Sequence, residues 1–406
     1  MKIMLLNAGS SSLKASVLDT DDTSIVARGQ SDWKGSHARY EFARQDGMIE
    51  VVEEVEAGYD SAVRRFVNDW RRADTSSSST SPTPAAIGHR VVHGGQFTSS
   101  VRITPDVRTR IAELADLAPL HNPPSLETLA AAEFELPNVP QIAIFDTAFH
   151  ATIPPEAYTY AVPDEWTNDW GIRRYGFHGL SHAYCAHRAA ELLGRPEEGL
   201  RLVICHLGHG CSATAVHNGR SVDTTMGYTP LEGLMMATRS GSVDPGALLF
   251  VQQRHGLTPD IMEATLNRSS GLLGVSGTSS DLRVVLDAAR TGDKRSRLAI
   301  GIYTHRIRQA IGALTATLGG IDALVFTAGV GEHSAEIRAS VTDGLEYLGL
   351  KLDLEANESC QLDADVATES STGRILVIKT REDLTMLREV VGVLQGDNSA
   401  NSESDI

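Results

Sequence analysis

Asn7-Ala8-Gly9-Ser10-Ser11-Ser12-Leu13-Lys14 stands between two short apolar runs, Ile3–Leu6 and Ala15–Leu18. The runs read as strands and the small residues between them as a tight turn. Such a turn leaves its backbone N–H groups unobstructed. With three serine hydroxyls and the Lys14 ammonium, those groups suit an anion such as a phosphate. An ordinary hairpin has the same composition, and no GxxxxGK[ST] phosphate loop occurs in the chain. The octapeptide alone leaves both readings open.

A second stretch echoes the first. Asn7–Val17 is NAGSSSLKASV and His206–Val216 is HLGHGCSATAV. Both are eleven residues long, follow an apolar run, and carry glycine at the third position. Two matching strand–turn–strand units, one early and one midway, predict a duplicated domain with a cleft between the copies. Phe326–Glu332, FTAGVGE, reads as a third strand running into a glycine turn.

Further apolar runs bounded by Gly or small polar residues read as buried strands: Ala86–Val92, Gln141–Phe145, Leu200–Leu207, Ala323–Thr327 and Arg374–Ile378. Helical patterns cover Val107–Leu117, Ser181–Leu193, Arg295–Leu318 and Asp383–Leu394. Mixed strand and helix along the whole chain makes this an α/β protein. Thr75–Pro84 reads as a polar loop, Gly396–Ile406 as a frayed acidic tail, and Ile153–Glu156 as a linker.

The chain has 406 residues, enough for two domains. Its 36 basic and 52 acidic residues give a net charge of −16, which argues against a nucleic-acid or anionic-membrane partner. Four cysteines without CxxC spacing suit reduced thiols in the cytoplasm. Asn7 interrupts the first apolar run too early for a signal peptide, and no apolar stretch is long enough to span a membrane.

Charged residues recur beside glycines where strands end. His89–Gly95 is HRVVHGG, Phe145–His150 is FDTAFH, Arg173–His182 is RRYGFHGLSH and Met236–Gly241 is MATRSG. Strand ends are where open α/β sheets bind ligands. Together with NAGSSSLK, Pro119–Pro124 (PLHNPP), Val222–Gly241, Ser279–Arg283 (SSDLR) and FTAGVGE, these segments resemble the motifs of the acetate kinase family, in the family's order. The resemblance covers about residues 1–394.

The resemblance implies membership of the acetate-and-sugar-kinase, Hsp70 and actin superfamily. The implied fold is duplicated ribonuclease H-like (actin-like ATPase) domains with a central active-site cleft. Residues 1–150, completed by a C-terminal helix over 385–406, would form the first domain, and 151–384 the nucleotide-binding second. The implied reaction is reversible, Mg²⁺-dependent transfer (Mn²⁺ substituting) from ATP to acetate, giving ADP and acetyl phosphate. The enzyme would be a phosphotransferase with a carboxyl acceptor, and a homodimer.

By the same resemblance, Arg90 and Arg239 hold the acetate carboxylate and the moving phosphoryl group. His178 donates to that group, His121 and His206 lie nearby, and Asp146 orients substrate and metal. Asn7 and Glu382 lie near Mg²⁺. Val92, Leu120, Phe177 and Pro230 form the methyl pocket. The nucleotide is assigned to Lys14, His206, Gly208, His209, Gly210, Asp281, Leu282, Arg283, Gly329, Val330, Gly331 and His333. Acetate is ionised at neutral pH, so the chemistry requires charge neutralisation rather than a general base.

The chain departs from the family pattern mainly on the nucleotide side. It has His209 within LGHG, His333 within GEHS, Leu282 within SSDLR, Ser242-Val243 after TRSG, and Arg381 within TREDL. The acetate-side motifs are intact. Pyrophosphate therefore stands as an alternative donor, and propionate or butyrate as alternative acceptors. The other classes are an actin- or Hsp70-like ATP-binding module and a sugar kinase with an aspartate base.

Overall fold

In the computed structural model, which describes residues 1–45, 47, 49–73, 82–118 and 121–403, the chain forms two compact units. One contains residues 1–148 and 381–406, the other 149–380.

The first unit is built on an eight-stranded sheet. Its strands are β1 (Lys2–Gly9), β2 (Ser12–Asp19), β3 (Ile25–Lys34), β4 (His37–Arg44), β5 (Ile49–Glu56), β6 (Ala86–Val91), β7 (Val101–Arg102) and β8 (Gln141–Phe145). Their order is β5-β4-β3-β2-β1-β6-β8-β7. The strands β1 to β5 form an antiparallel meander, whereas β1, β6 and β8 run parallel. The second unit has a six-stranded sheet of β9 (Arg201–Leu207), β10 (Cys211–His217), β11 (Arg220–Thr224), β12 (Ala323–Thr327), β13 (Ala364–Asp365) and β14 (Arg374–Val377). Its order is β11-β10-β9-β12-β14-β13.

The two sheets repeat one plan. In each, a leading strand (β1 or β9) pairs antiparallel with its hairpin partner on one side and parallel with a later strand on the other. A further parallel strand and a short antiparallel edge follow. The duplication expected from the two eleven-residue stretches is thus present in the topology.

Burial explains why the parallel strands stood out as apolar runs. Helices Tyr59–Ala73 and Asn122–Glu135 carry Val63, Phe66, Trp70, Ala131 and Ala132 into a core with Met4, Leu6, Ala15 and Val17. Helix Glu382–Glu403 packs against β1, β6 and β8. Strands covered on both faces read as continuous hydrophobic stretches. By contrast, β4 alternates, with Ala38, Tyr40 and Phe42 buried and His37 and Arg39 exposed. Its Arg and Glu residues hide that period, so the β3–β5 meander was not anticipated.

Three expectations change. In FTAGVGE the strand runs into a helix rather than a glycine turn: Thr327 leads straight into Ala328–His333, with Ala328 at φ +64°. Ile153 is buried, and Pro155 opens a one-turn helix, so Ile153–Glu156 is not an extended linker. The C-terminal helix continues through Gly396 to Glu403. Most of the expected Thr75–Pro84 loop lies outside the described residues.

The close approach of the C-terminal helix is set by Gly88 on β6. A Cβ there would lie 2.7 Å from Val390 Cγ2, 2.9 Å from Ile144 Cδ1 and 2.9 Å from Leu5 Cδ2. Gly88→Ala should therefore destabilise the first unit by about 1–3 kcal/mol through overpacking. A thermal melt checks this; an unchanged midpoint would show that the helix yields freely.

Candidate active site

In the first unit, the parallel register brings the ends of β1, β6 and β8 to one edge of the sheet. Leu6 lies beside His89, and Val91 beside Phe145. Asn7, Arg90 and Asp146 consequently meet. Arg90 Nε donates to both Asp146 oxygens at 3.2 Å, and Nη2 donates to Oδ2 at 2.5 Å. Arg90 Nη1 donates to Asn7 Oδ1 at 3.2 Å. Asp146 is 1% exposed, so its partner is Arg90 rather than solvent. Burial opposes the charge on Arg90, but the Asp146 and Glu382 carboxylates more than offset it and raise its pKa.

The surrounding chain fixes this edge. Tyr59 donates to Gly9 O at 2.6 Å, holding the first hairpin. Ser125 Oγ donates to Arg90 O, and Asn122 bonds both the N–H and the C=O of His93. Tyr59 and Ser125 carry no motif, their only signals being a lone phenol and a lone hydroxyl. Lys14 lies opposite Asn7 in the β1–β2 register and is exposed. Val92 is buried, His121 is half-buried, and Leu120 lies outside the described residues.

In the second unit, the turn Gly208-His209-Gly210 joins β9 to β10, with Gly208 N donating to Gly210 O at 3.0 Å. This is the expected hairpin. A Cβ on Gly210 would lie 3.2 Å from His178 Nε2 and 3.5 Å from Arg239 Nη2, so both groups border the turn. The His178 ring reaches it from a residue at φ +56°, immediately before helix Gly179–Leu193. It stacks on His206 with centroids 4.1 Å apart and planes 14° apart.

Arg239 Nη1 donates to Pro230 O at 2.8 Å. Among the described residues no carboxylate forms an ion pair with Arg239, and burial lowers its pKa. An arginine stays protonated regardless, so the site carries an uncompensated cation. The pKa of His209 is also lowered, by desolvation first and Arg239 second, although solvent reaches its ring. Phe177 is fully buried.

The other residues that the resemblance assigns to the nucleotide fall into two places. Ala328 starts its helix beside Gly208, its Cβ 3.7 Å from a Cβ built on that glycine. Gly329, Val330, Gly331 and His333 follow on this helix, with Gly331 buried against Phe326 and His333 exposed. Glu332, which sequence reading passed over, accepts from Ala328 N at 2.9 Å and Thr380 N at 3.0 Å and fixes the junction. Asp281 caps helix Leu282–Arg290 and pairs with Arg283, while Leu282 is buried. No group of three His, Cys, Asp or Glu is arranged to hold a metal among the described residues.

With this geometry in hand, comparison with known proteins is decisive. The model of the acetokinase family matches residues 2–388. The chain belongs to the acetokinase family. It is 47% identical to an acetate kinase of Gloeothece citriformis over 399 residues, 96% of this chain and 98% of that one. Its structure resembles that of Porphyromonas gingivalis acetate kinase, with TM-score 0.88, 38% identity, and 97% and 99% of the two chains covered. It also resembles a propionate kinase of Francisella tularensis, with TM-score 0.87, 36% identity, and 96% and 98% covered. An acetokinase is a phosphotransferase with a carboxyl acceptor, so the reading as a non-enzymatic ATP-binding module falls away.

Behind the site, His150 is fully buried between Ser221 Oγ and Phe177 O, and burial pushes its pKa down to about 4. Burial also holds His182 well below the usual histidine value, and His89 in the first unit at about 4. Unfolded, each titrates near ~6.5. Between these values the unfolded chain binds the extra protons, so stability present above pH ~6.5 is lost as pH falls toward 4. The urea midpoint should therefore be lower at pH 5 than at pH 7.5, and His150→Gln should flatten the difference. A midpoint that rises on acidification would contradict these neutral histidines.

Proposed function

We propose that the chain catalyses reversible, in-line phosphoryl transfer between ATP and acetate, giving acetyl phosphate and ADP. The observation that carries this reading is Arg239: a half-buried guanidinium with no carboxylate partner among the described residues, beside a histidine and a glycine turn. Such a group awaits an anion. Acetate attacks as an ionised carboxylate, so the task is to bring one anion to another. Arg90 and Arg239 neutralise that charge. Asp146, held on Arg90 by three contacts, orients the arginine and balances its charge. His178 donates to the moving phosphoryl group. The glycines at 208 and 210 and the start of helix Ala328–His333 serve the phosphate donor.

Asn7 Oδ1 and the Glu382 carboxylate fit Mg²⁺ in chemistry: hard oxygen donors, too few for a cage, as suits an ion held largely by phosphates and water. The ion would supply charge neutralisation at the phosphates. The likeness to a propionate kinase supports propionate as a second, poorer acceptor, since one methylene changes discrimination by only about 10–200-fold.

The decisive assay supplies acetate, Mg²⁺ and either ATP or pyrophosphate, and traps acetyl phosphate with hydroxylamine. ATP should give acyl hydroxamate; no product with either donor would end the proposal. Arg239→Ala should lower kcat/KM by on the order of 10³-fold with an unchanged melt, as for arginines that neutralise a transferring phosphoryl group. A variant within a few-fold of wild type would remove the role assigned to it.

We also propose a cytoplasmic homodimer. The four cysteines are free, and no described helix is long and apolar enough to cross a membrane. Helix Pro245–His255 buries none of its residues, and Leu249 and Phe250 are 58% and 61% exposed, with Ile261 also exposed nearby in sequence. A second copy would cover this face. Phe250→Asp should convert the dimer to monomer in sedimentation; a wild-type monomer would overturn the assignment.

A further inference from the structure

The histidines beside the hairpin turn are wired to the fold through two serines, in a crossed pattern. Strand β10 carries Ser212, opposite His206 on β9. The helix Gly179–Leu193 carries Ser181 and His182, and His178 precedes it. The strand's serine serves the helix-side histidine: Ser212 Oγ lies 2.9 Å from His178 Nδ1 and 2.7 Å from His182 Nε2. The helix's serine serves the strand histidine: Ser181 Oγ lies 2.8 Å from His206 Nδ1. Thr380 Oγ1 donates to the same Ser181 oxygen at 3.0 Å.

Counting protons resolves these contacts. A hydroxyl has one proton to give. Ser212 therefore donates to one ring and accepts from the other. His182 is fully buried and neutral, and its Nδ1 meets no donor or acceptor among the described residues. If Ser212 donated to His182 Nε2, the single ring proton of His182 would sit on that Nδ1 as an orphaned N–H. Orphaned buried donors are rarer than orphaned acceptors. The proton of His182 thus sits on Nε2 and is given to Ser212, and Ser212 gives its own to His178 Nδ1. On the other ring, Thr380 occupies an acceptor lone pair of Ser181. The Ser181 proton then goes to His206 Nδ1, a stronger acceptor than the nearby Cys185 sulfur.

We propose that these two hydroxyl relays, His182–Ser212 and Thr380–Ser181, are positioning devices that lock His178 and His206 as neutral Nε2–H tautomers. Both Nε2 atoms are on the hairpin side. His178 Nε2 lies 3.2 Å from a Cβ built on Gly210, and His206 Nε2 lies 3.7 Å from one built on Gly208. The stacking of the rings at 4.1 Å reinforces neutrality, because two cations at that spacing would repel. The turn therefore meets two pre-aimed N–H donors besides Arg239. This deepens the kinase reading and rests on it for the identity of the anion: a transferring phosphoryl group.

The test is long-range ¹H–¹⁵N correlation on ¹⁵N-histidine-labelled protein, which distinguishes the tautomers without turnover, run beside the hydroxamate assay. Wild type at pH 7.5 should show His178 and His206 as Nε2–H tautomers. Ser212→Ala should shift His178, but not His206, toward Nδ1–H and lower kcat about tenfold or more with acetate KM nearly unchanged, since a histidine in the wrong tautomer loses orders of magnitude in rate. Ser212→Thr should restore both. Thr380→Val should disturb the His206 signals and leave those of His178. An Nδ1–H form of His178 in wild type would overturn the proposal, as would a Ser212→Ala protein with unchanged tautomer and kcat. The wild-type spectrum stands even if Ser212→Ala fails to fold. A chain that showed the tautomers but made no acyl phosphate would fail the kinase reading alone.

Discussion

The charge of Arg239 is taken into the protein with a carbonyl oxygen, that of Pro230, as its acceptor and no carboxylate among the described residues to offset it. Removing a cation from water is costly, and a paired geometry normally compensates. Arg90 shows the ordinary solution, with Asp146 clasping its guanidinium. The two arginines thus differ in kind. One is preorganised and charge-balanced; the other is left in deficit until an anion arrives. The proposed reaction, which joins a carboxylate to a phosphoryl group, would draw on both kinds, because each anion must be steadied while the total charge stays tolerable.

The fold delivers these groups by repeating one skeleton with different fittings. Each copy has a leading strand, a hairpin turn rich in small residues and parallel neighbours that end at the same edge. The first residue of each eleven-residue stretch marks the divergence. Asn7 bonds Arg90, whereas its counterpart His206 stacks on His178. The glycine at 210 matters for what it lacks: a Cβ there would press on the His178 ring, 3.2 Å from its Nε2, and touch Arg239. The left-handed backbone at His178 and at Ala328 is where the chain accepts strain to aim these groups.

What the sequence made legible follows from how strongly each feature is encoded. The doubly covered strands β1, β6, β8, β9, β12 and β14 were visible as apolar runs, and the hairpins as small-residue turns. The meander β3–β5 was not: on β4, for example, buried Ala38, Tyr40 and Phe42 are spaced singly between more exposed residues. Arg90, Asp146, His178, Arg239 and the glycines at 208 and 210 emerged because charge beside glycine at a strand end is unusual. Ser212, Ser181, Thr380 and Glu332 did not. A serine that orients a histidine looks like any serine, and only the crossed packing of a helix on a hairpin gives it a partner. FTAGVGE misled for a related reason: glycines permit a turn, but Glu332 folds back onto Ala328 N and makes the segment a helix.

Neutral histidines are the physically economical companions for Arg239. A further lysine or arginine at the turn would repel the guanidinium already there and deepen its desolvation cost. A neutral imidazole contributes an N–H dipole that strengthens as negative charge builds on the phosphoryl oxygens and adds no net charge when the site is empty. That advantage exists only if the proton sits on the nitrogen facing the turn, and an isolated imidazole chooses between its nitrogens nearly freely. Fixing the choice requires a donor on the opposite nitrogen, itself held in direction by a further group. Ser212 backed by His182, and Ser181 backed by Thr380, are such arrangements. Deep burial keeps His182 neutral, so the relay that turns Ser212 toward His178 brings no charge of its own.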